Sequence, residues 1–303
     1  MDYGRVLRRA VEITWRHKAL WLFGFLLALF GGTGGGGGGQ GLQYRIGQTE
    51  LARPEWAWGL ALLVIALVFV FVVAAIVLSN ISRGALIGMV RETEETGSTS
   101  ARNGWRIGKS RLWSLIGIDL VTVIPAVIAA MALIALALSP LLLLLAERDA
   151  LTVLGVVLTV LLSLGVVVVI IIAGTVLGIV REFAYRQSVL EGRGVWLSIR
   201  AGYRMVRAHL RTVGVMWLLL FGIDLAASVI AFPLLLVGFG LAASAGAAVY
   251  AASESVAGAI AVALLLGVPA ALISALVGGV YLVFRSSAWT LAYREVQAES
   301  SLA

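Results

Sequence analysis

Residues 150–180 read ALTVLGVVLTVLLSLGVVVVIIIAGTVLGIV, thirty-one positions without one charged side chain. A helix needs about 20 apolar residues to cross the hydrocarbon layer of a bilayer. A stretch this long has no place in a water-soluble core, where it would leave large apolar patches in water. Four further runs, 57–79, 113–146, 212–241 and 256–284, are nearly uncharged, and a shorter one spans 19–32. The chain of 303 residues is 61% hydrophobic and 13% charged. These features predict an all-α, polytopic transmembrane helical bundle of six spans, a single transmembrane domain over 1–303. No length remains for a separate soluble domain.

The formal charge of +7 is not spread like that of a nucleic-acid binder. Twenty of the 23 basic residues fall in alternate connections: Arg5 to Lys18, Arg83 to Arg111, Arg181 to Arg211, and Arg285 with Arg294. The opposite side keeps only Arg45, Arg53 and Arg148. Short loops rich in Lys and Arg stay cytoplasmic. The expected location is therefore a prokaryotic cytoplasmic membrane with both termini inside, which an even number of spans satisfies. No small-x-small cleavage site precedes the glycines after 19–32, so this run reads as an uncleaved first span. There is no cysteine, which excludes disulfides, thiolate metal sites and cysteine nucleophiles.

An internal repeat organises the chain. Ser100-x-Arg102-x-Gly104-Trp105-Arg106-Ile107-x-Lys109 matches Ser198-x-Arg200-x-Gly202-Tyr203-Arg204-Met205-x-Arg207. Both lead to Gly-Ile-Asp-Leu, at 117–120 and 222–225, the later copy after a seven-residue insertion. Ala184-Tyr185-Arg186-Gln187 recurs as Ala292-Tyr293-Arg294-Glu295. These landmarks predict three tandem parallel helical-hairpin repeats, about 1–95, 96–190 and 191–303, the first degenerate. The glycine-rich segment 31–50 reads as an outer linker, since a phosphate-cradling glycine loop needs a strand and helix around it. Trp56 and Trp58 are expected at the outer boundary, and Trp15, Trp21, Trp105, Trp113 and Trp289 at the inner one.

Each repeat opens on a basic segment of helical spacing. Arg200, Arg204, Arg207 and Arg211 recur at i, i+4, i+7 and i+11, and Arg102, Arg106 and Lys109 repeat the pattern. Such segments either lie in the headgroup layer or extend the following span into water. The seven residues are the candidate headgroup-binding set, with anionic lipids as the expected partners and a membrane protein as a second kind of partner.

Asp119 and Asp224 are the candidate intramembrane polar residues. They lie about 12 Å and about 20 Å along a helix from Arg111 and Arg211. An ionised carboxylate at that depth is costly unless paired or wetted. One reading is a proton, cation or headgroup site. The other, favoured by the duplication, is a packing device in which each Asp bonds an Arg of a neighbouring span, with Arg83, Arg181 and Arg285 as candidates. Pro125, Pro233 and Pro269 interrupt spans three, five and six. Gly174-x-x-x-Gly178, Ser274-x-x-x-Gly278 and Ala275-x-x-x-Gly279 would let helices approach closely.

Catalytic and metal-binding sets are missing. His17 and His209 lie among arginines, and no H-E-x-x-H, paired-carboxylate or Ser/His/Asp arrangement can be assembled. Glu92, Glu94 and Glu95 read as a solvated or Arg-paired face. The chain is expected to be no enzyme and to use no cofactor or metal.

Val189-Leu190-Glu191-Gly192 followed by Ser198-x-Arg200-x-Gly202-Tyr203-Arg204 resembles the loop after span four in a group of uncharacterised six-span prokaryotic membrane proteins. That group includes the membrane domain beside some bacterial glycerophosphodiester phosphodiesterases. The resemblance implies a helical bundle without an assigned activity. The catalytic barrel of those phosphodiesterases has no counterpart here. Two functions follow as expectations: a non-enzymatic membrane protein engaging anionic lipid headgroups or partner proteins, and alternatively a transporter or channel using Asp119 and Asp224.

Overall fold

The computed structural model describes residues 2–31, 56–146 and 149–302. They are helical throughout: α1 (Tyr3–Arg16), α2 (Ala19–Phe30), α3 (Trp56–Thr96), α4 (Ala101–Leu138), α5 (Asp149–Glu191), α6 (Val195–Ala208), α7 (Leu210–Ser253) and α8 (Val256–Leu302). A 3-10 segment, Ser139–Ala146, follows α4. Five helices, α3, α4, α5, α7 and α8, are long and apolar enough to cross a membrane, and the protein is a multi-pass membrane protein. The first apolar run instead forms the 12-residue α2, about 18 Å long and shorter than the hydrocarbon layer. Apart from Gly31, the glycine-rich segment lies outside the described residues, as do Arg45, Arg53 and Arg148.

The long helices run to 38–47 residues, roughly twice the thickness of the hydrocarbon layer. Their two ends behave differently. The apolar stretches are bare: Phe69 is 68% exposed and Leu265 72%. Lipid satisfies such a surface, because tails are as apolar as the side chains and give no drive to bury them. Burial concentrates where charged residues begin, at Ile81–Val90, Val180–Val189 and Val283–Val296. Water supplies the hydrophobic drive there. Trp289, expected at the membrane boundary, is buried in this core instead.

The chain divides into two compact units. The first comprises Met1–Leu112 and Gly214–Ala303. Its helix α1 starts on Asp2, whose carboxylate accepts the Arg5 backbone N–H at 3.0 Å. It buries Val6, Ala10, Ile13 and Thr14, spaced as one helix face, and packs on α8. Helix α2 crosses α8 at Gly24 and Gly279. A Cβ added to Gly279 would stand 2.6 Å from the Phe25 nitrogen, so only glycine permits the crossing. The start of α4 lies along α3, with Gly108 facing the Ile81 carbonyl and Gly104 facing Met89. Helices α7 and α8 form a hairpin through Glu254, in the left-handed region at φ 52°, and Ser255 caps α8 by accepting the Gly258 N–H at 3.1 Å.

The second unit is Trp113–Val213. Helix α5 packs on the 3-10 segment that follows α4, where Gly155 faces the Pro140 carbonyl. It ends before Gly192, at φ 72°, the left-handed position that closes many helices. Helix α6 then lies on α5. Gly202 sits so close that an added Cβ would be 2.9 Å from the Ala184 nitrogen.

The basic segments differ in how they join the helix that follows. Residues 101–112 continue directly into α4, whereas α1 and α6 are separate helices that break at His17 and His209. All three make the same contact. The start of α4 packs on α3, α6 on α5 and α1 on α8, so each lies on a returning helix. Helices α4, α7 and α8 run on through Pro125, Pro233 and Pro269. Gly174 and Gly178, expected at a close helix contact, would meet nothing within 4 Å if given a Cβ. Gly279 makes that close contact, and its neighbour Gly278 faces Ala28 of α2 at ordinary contact distance.

Candidate functional site

Each candidate carboxylate is held in a clasp from the returning helix of its own hairpin. On α4, Asp119 accepts the Tyr185 hydroxyl proton and stands 3.8 Å from the Arg181 guanidinium. On α7, Asp224 accepts from the Tyr281 hydroxyl and stands 3.7 Å from Arg285. In both clasps the Tyr and Arg are four residues apart, hence on one helix face. Their order is reversed, Arg before Tyr on α5 and Tyr before Arg on α8. Arg181 also lies 5.9 Å from the centre of the Tyr185 ring. Both carboxylates are 28% exposed and both arginines 23%. Each clasp pairs one negative with one positive charge, which removes most of the cost of placing either beside hydrocarbon.

The pairing of Asp119 with Arg181 and of Asp224 with Arg285 is the arrangement the sequence suggests. Arg83 lies on α3, whose hairpin partner α2 has no carboxylate to offer it. The tyrosines are the part missed. The repeated Ala-Tyr-Arg landmark pairs Tyr185 with Tyr293, yet the second clasp uses Tyr281, twelve residues earlier. The i,i+4 spacing of Arg181 with Tyr185, and of Tyr281 with Arg285, is the signal that could have found them.

The basic segments differ in what they touch. On α6, Ser198, Ala201, Gly202 and Val206 are buried, while Arg200, Arg204 and Arg207 point outward. Arg211, one turn on, is also exposed. Trp196, Leu197, Tyr203 and Leu210 interleave with them on that face and are exposed as well. None of the four arginines forms an ion pair among the described residues. Arg102, Arg106 and Lys109 are likewise exposed, opposite Gly104 and Gly108.

Three of the four arginines of α1 are engaged. Arg9 binds Glu94 and Glu12, both at 2.8 Å, Arg5 reaches Glu295 at 3.4 Å, and Arg16 reaches Glu12 at 3.5 Å. The Glu94 hydrogen bond and then Glu12 raise the Arg9 pKa, and Arg9 in turn lowers that of Glu12. Burial, then the charges of Arg16 and Arg9, lower the His17 pKa. The acidic run is fully used: Glu92 accepts from Thr99 and Asn103, Glu94 binds Arg9, and Glu95 binds Arg91 at 2.8 Å. No group of His, Cys, Asp and Glu able to hold a metal ion occurs among the described residues.

No curated protein and no solved structure matches the chain. A family model does match, over residues 15–292, and it carries no link to glycerophosphodiester phosphodiesterases. By that match, which covers nearly the whole chain, the protein belongs to a family of unknown function (DUF7544).

Proposed function

We propose that this is a non-enzymatic integral membrane protein that engages anionic lipid headgroups through its basic amphipathic segments, α6 foremost. One observation carries the reading. The outward face of α6 interleaves Arg200, Arg204, Arg207 and Arg211 with Trp196, Tyr203 and Leu210, and no carboxylate answers those arginines. Aromatic rings and arginine stems settle at the headgroup level, where guanidinium groups meet phosphate. In this reading the basic ends face the cytoplasm of a prokaryotic cell, both termini lie inside, and α2 counts as a sixth, short span. Three hairpin repeats then account for the recurring contact of a basic segment with a returning helix. A membrane partner protein docking on the same face is the other occupant consistent with this chemistry.

Anionic surfaces attract nearby Lys or Arg by about 1 kcal/mol each. Replacing Arg200, Arg204, Arg207 and Arg211 by Gln should cut retention of phosphatidylglycerol in native mass spectrometry by up to about a thousandfold. Retention of phosphatidylcholine should be untouched. Equal retention of phosphatidylglycerol by the variant and the parent removes the proposal.

The second reading, transport through Asp119 and Asp224, draws on the residual exposure of both carboxylates. It requires proton or cation flux in proteoliposomes that disappears in Asp119→Asn or Asp224→Asn. The Arg and Tyr partners of each carboxylate favour a packing role instead.

A further inference from the structure

An open groove of about 450 Å³ lies in the first unit between α1 and the end of α8. Arg5, Arg9 and Arg294 line it with Glu94 and Glu295, over an apolar floor of Val6 and Leu291. The cations are not equally committed. Arg9 is held by Glu94 at 2.8 Å, and Arg5, 73% exposed, touches Glu295 loosely at 3.4 Å. Arg294 is half-buried and forms no ion pair among the described residues.

The internal repeat shows why. Arg294 occupies the position of Arg186 on α5, which is 1% exposed and bound at 2.7 Å to Glu182, one turn earlier. One turn before Arg294 the chain has Thr290, whose hydroxyl is spent on the Ser286 carbonyl at 2.8 Å. The counter-ion that Arg186 has is absent at the matching position, and Arg294 lines the groove.

We infer that the groove between α1 and α8 binds a phosphate group, with Arg294 and Arg5 as its ligands. Three guanidinium groups against two carboxylates leave one net positive charge, which suits a phosphate monoester or diester. The planar fork of arginine matches phosphate oxygens two at a time. Glu295 stands beside the site and competes for Arg5, so it weakens the binding it borders. The residues are distinct from those of α6, and the two ideas fail independently.

The test is calorimetry on the full chain in neutral detergent, with inorganic phosphate in one arm and dihexanoyl phosphatidic acid in the other. Arg294→Gln should weaken binding by about tenfold or more, Arg5→Gln should weaken it less, and Glu295→Gln should tighten it. Binding in the phosphate arm identifies a soluble phosphate compound as the occupant; binding confined to the lipid arm identifies a headgroup. Arg5→Gln is a surface change and reports even where Arg294→Gln fails to fold. Absence of binding in both arms overturns the inference, as does indifference to Arg5 and Arg294. So does weaker binding in Glu295→Gln, which would mark a cation site. The variant with Gln at 200, 204, 207 and 211 should bind phosphate like the parent.

Discussion

Helices α1 and α6 are written alike and used differently. Both are 14 residues long, both carry arginines at helical spacing, and both pack on a returning helix. Arg5, Arg9 and Arg16 of α1 find carboxylates on α1 itself, on the end of α3 and on α8. Those of α6 find none and stand among exposed aromatic and aliphatic side chains. A basic amphipathic pattern therefore does not define one role. What decides is whether neighbouring elements supply acid. The run at Glu92–Glu95 reaches α1 through Glu94, and no comparable run borders α6.

The sharpest way to break this comparison is to neutralise each helix in turn. Gln at 200, 204, 207 and 211 should abolish most anionic-lipid retention and shift thermal stability by no more than about 0.5 kcal/mol. Gln at Arg9 and Arg16 should do the reverse. It leaves lipid retention near parental and lowers stability by about 1–2 kcal/mol, because exposed pairs are worth little and Glu94 is the most enclosed partner. Native mass spectrometry and thermal unfolding in detergent read the two effects. A loss of lipid from the α1 variant would erase the distinction.

A second change tests how firmly α6 is seated. Gly202→Leu forces a side chain against the α5 backbone and should cost about 1–3 kcal/mol. Proteolysis between α5 and α7 should quicken, while the α1 end stays protected. Unchanged cleavage would mean that α6 is not held by this contact.

The clasps are the feature the two hairpins share. Tyr185→Phe and Tyr281→Phe should each lower thermal stability by about 1 kcal/mol, the usual net worth of a hydrogen bond. The two losses should be equal within error. A twofold difference would show that the clasps, alike in composition, are not alike in strength.

The smallest effect concerns acid. His17 lines a small cavity with Arg9, Glu12 and Arg16 of α1, Thr93 of α3 and Gly97 just after α3. Its folded-state pKa is below the ordinary 6.5, so the unfolded chain takes up the proton first as pH falls. Stability should decline from about pH 6.5 downward and level off below the folded value. His17→Gln should flatten that slope, followed by the fluorescence of Trp15 and Trp21, which meet edge to face. An unchanged slope would clear His17 of the effect.

Much of this architecture could be read from residues alone. Apolar runs such as 150–180 announce membrane helices because only lipid tolerates them, and the carboxylates at 119 and 224 announce partners because hydrocarbon does not. Arg181 and Arg285 were legible as those partners from their place on the returning helices. Tyr281 was not, because the seven-residue insertion before Asp224 moves that clasp along its hairpin and away from the repeated Tyr293. The water-side core was hidden for a related reason. Residues such as Ile81, Phe183 and Trp289 lie just past the apolar spans, near Arg83, Arg181 and Arg285, and hydrophobicity does not distinguish a side chain at the boundary from one buried in a core. The run 19–32 already reads as short in the sequence, and α2 is shorter still at 12 residues.

Arg5 and Glu295 are separated by 290 positions in the chain and meet in the finished fold. The seat of α1 on α8 consequently cannot form while the ribosome is still making α8. Throughout synthesis the first helix must wait, with Val6, Ala10 and Ile13 uncovered, in reach of chaperones and proteases. Closure of this contact follows the synthesis of α8, and a chain stalled before residue 283 leaves the α8-facing side of α1 without its cover.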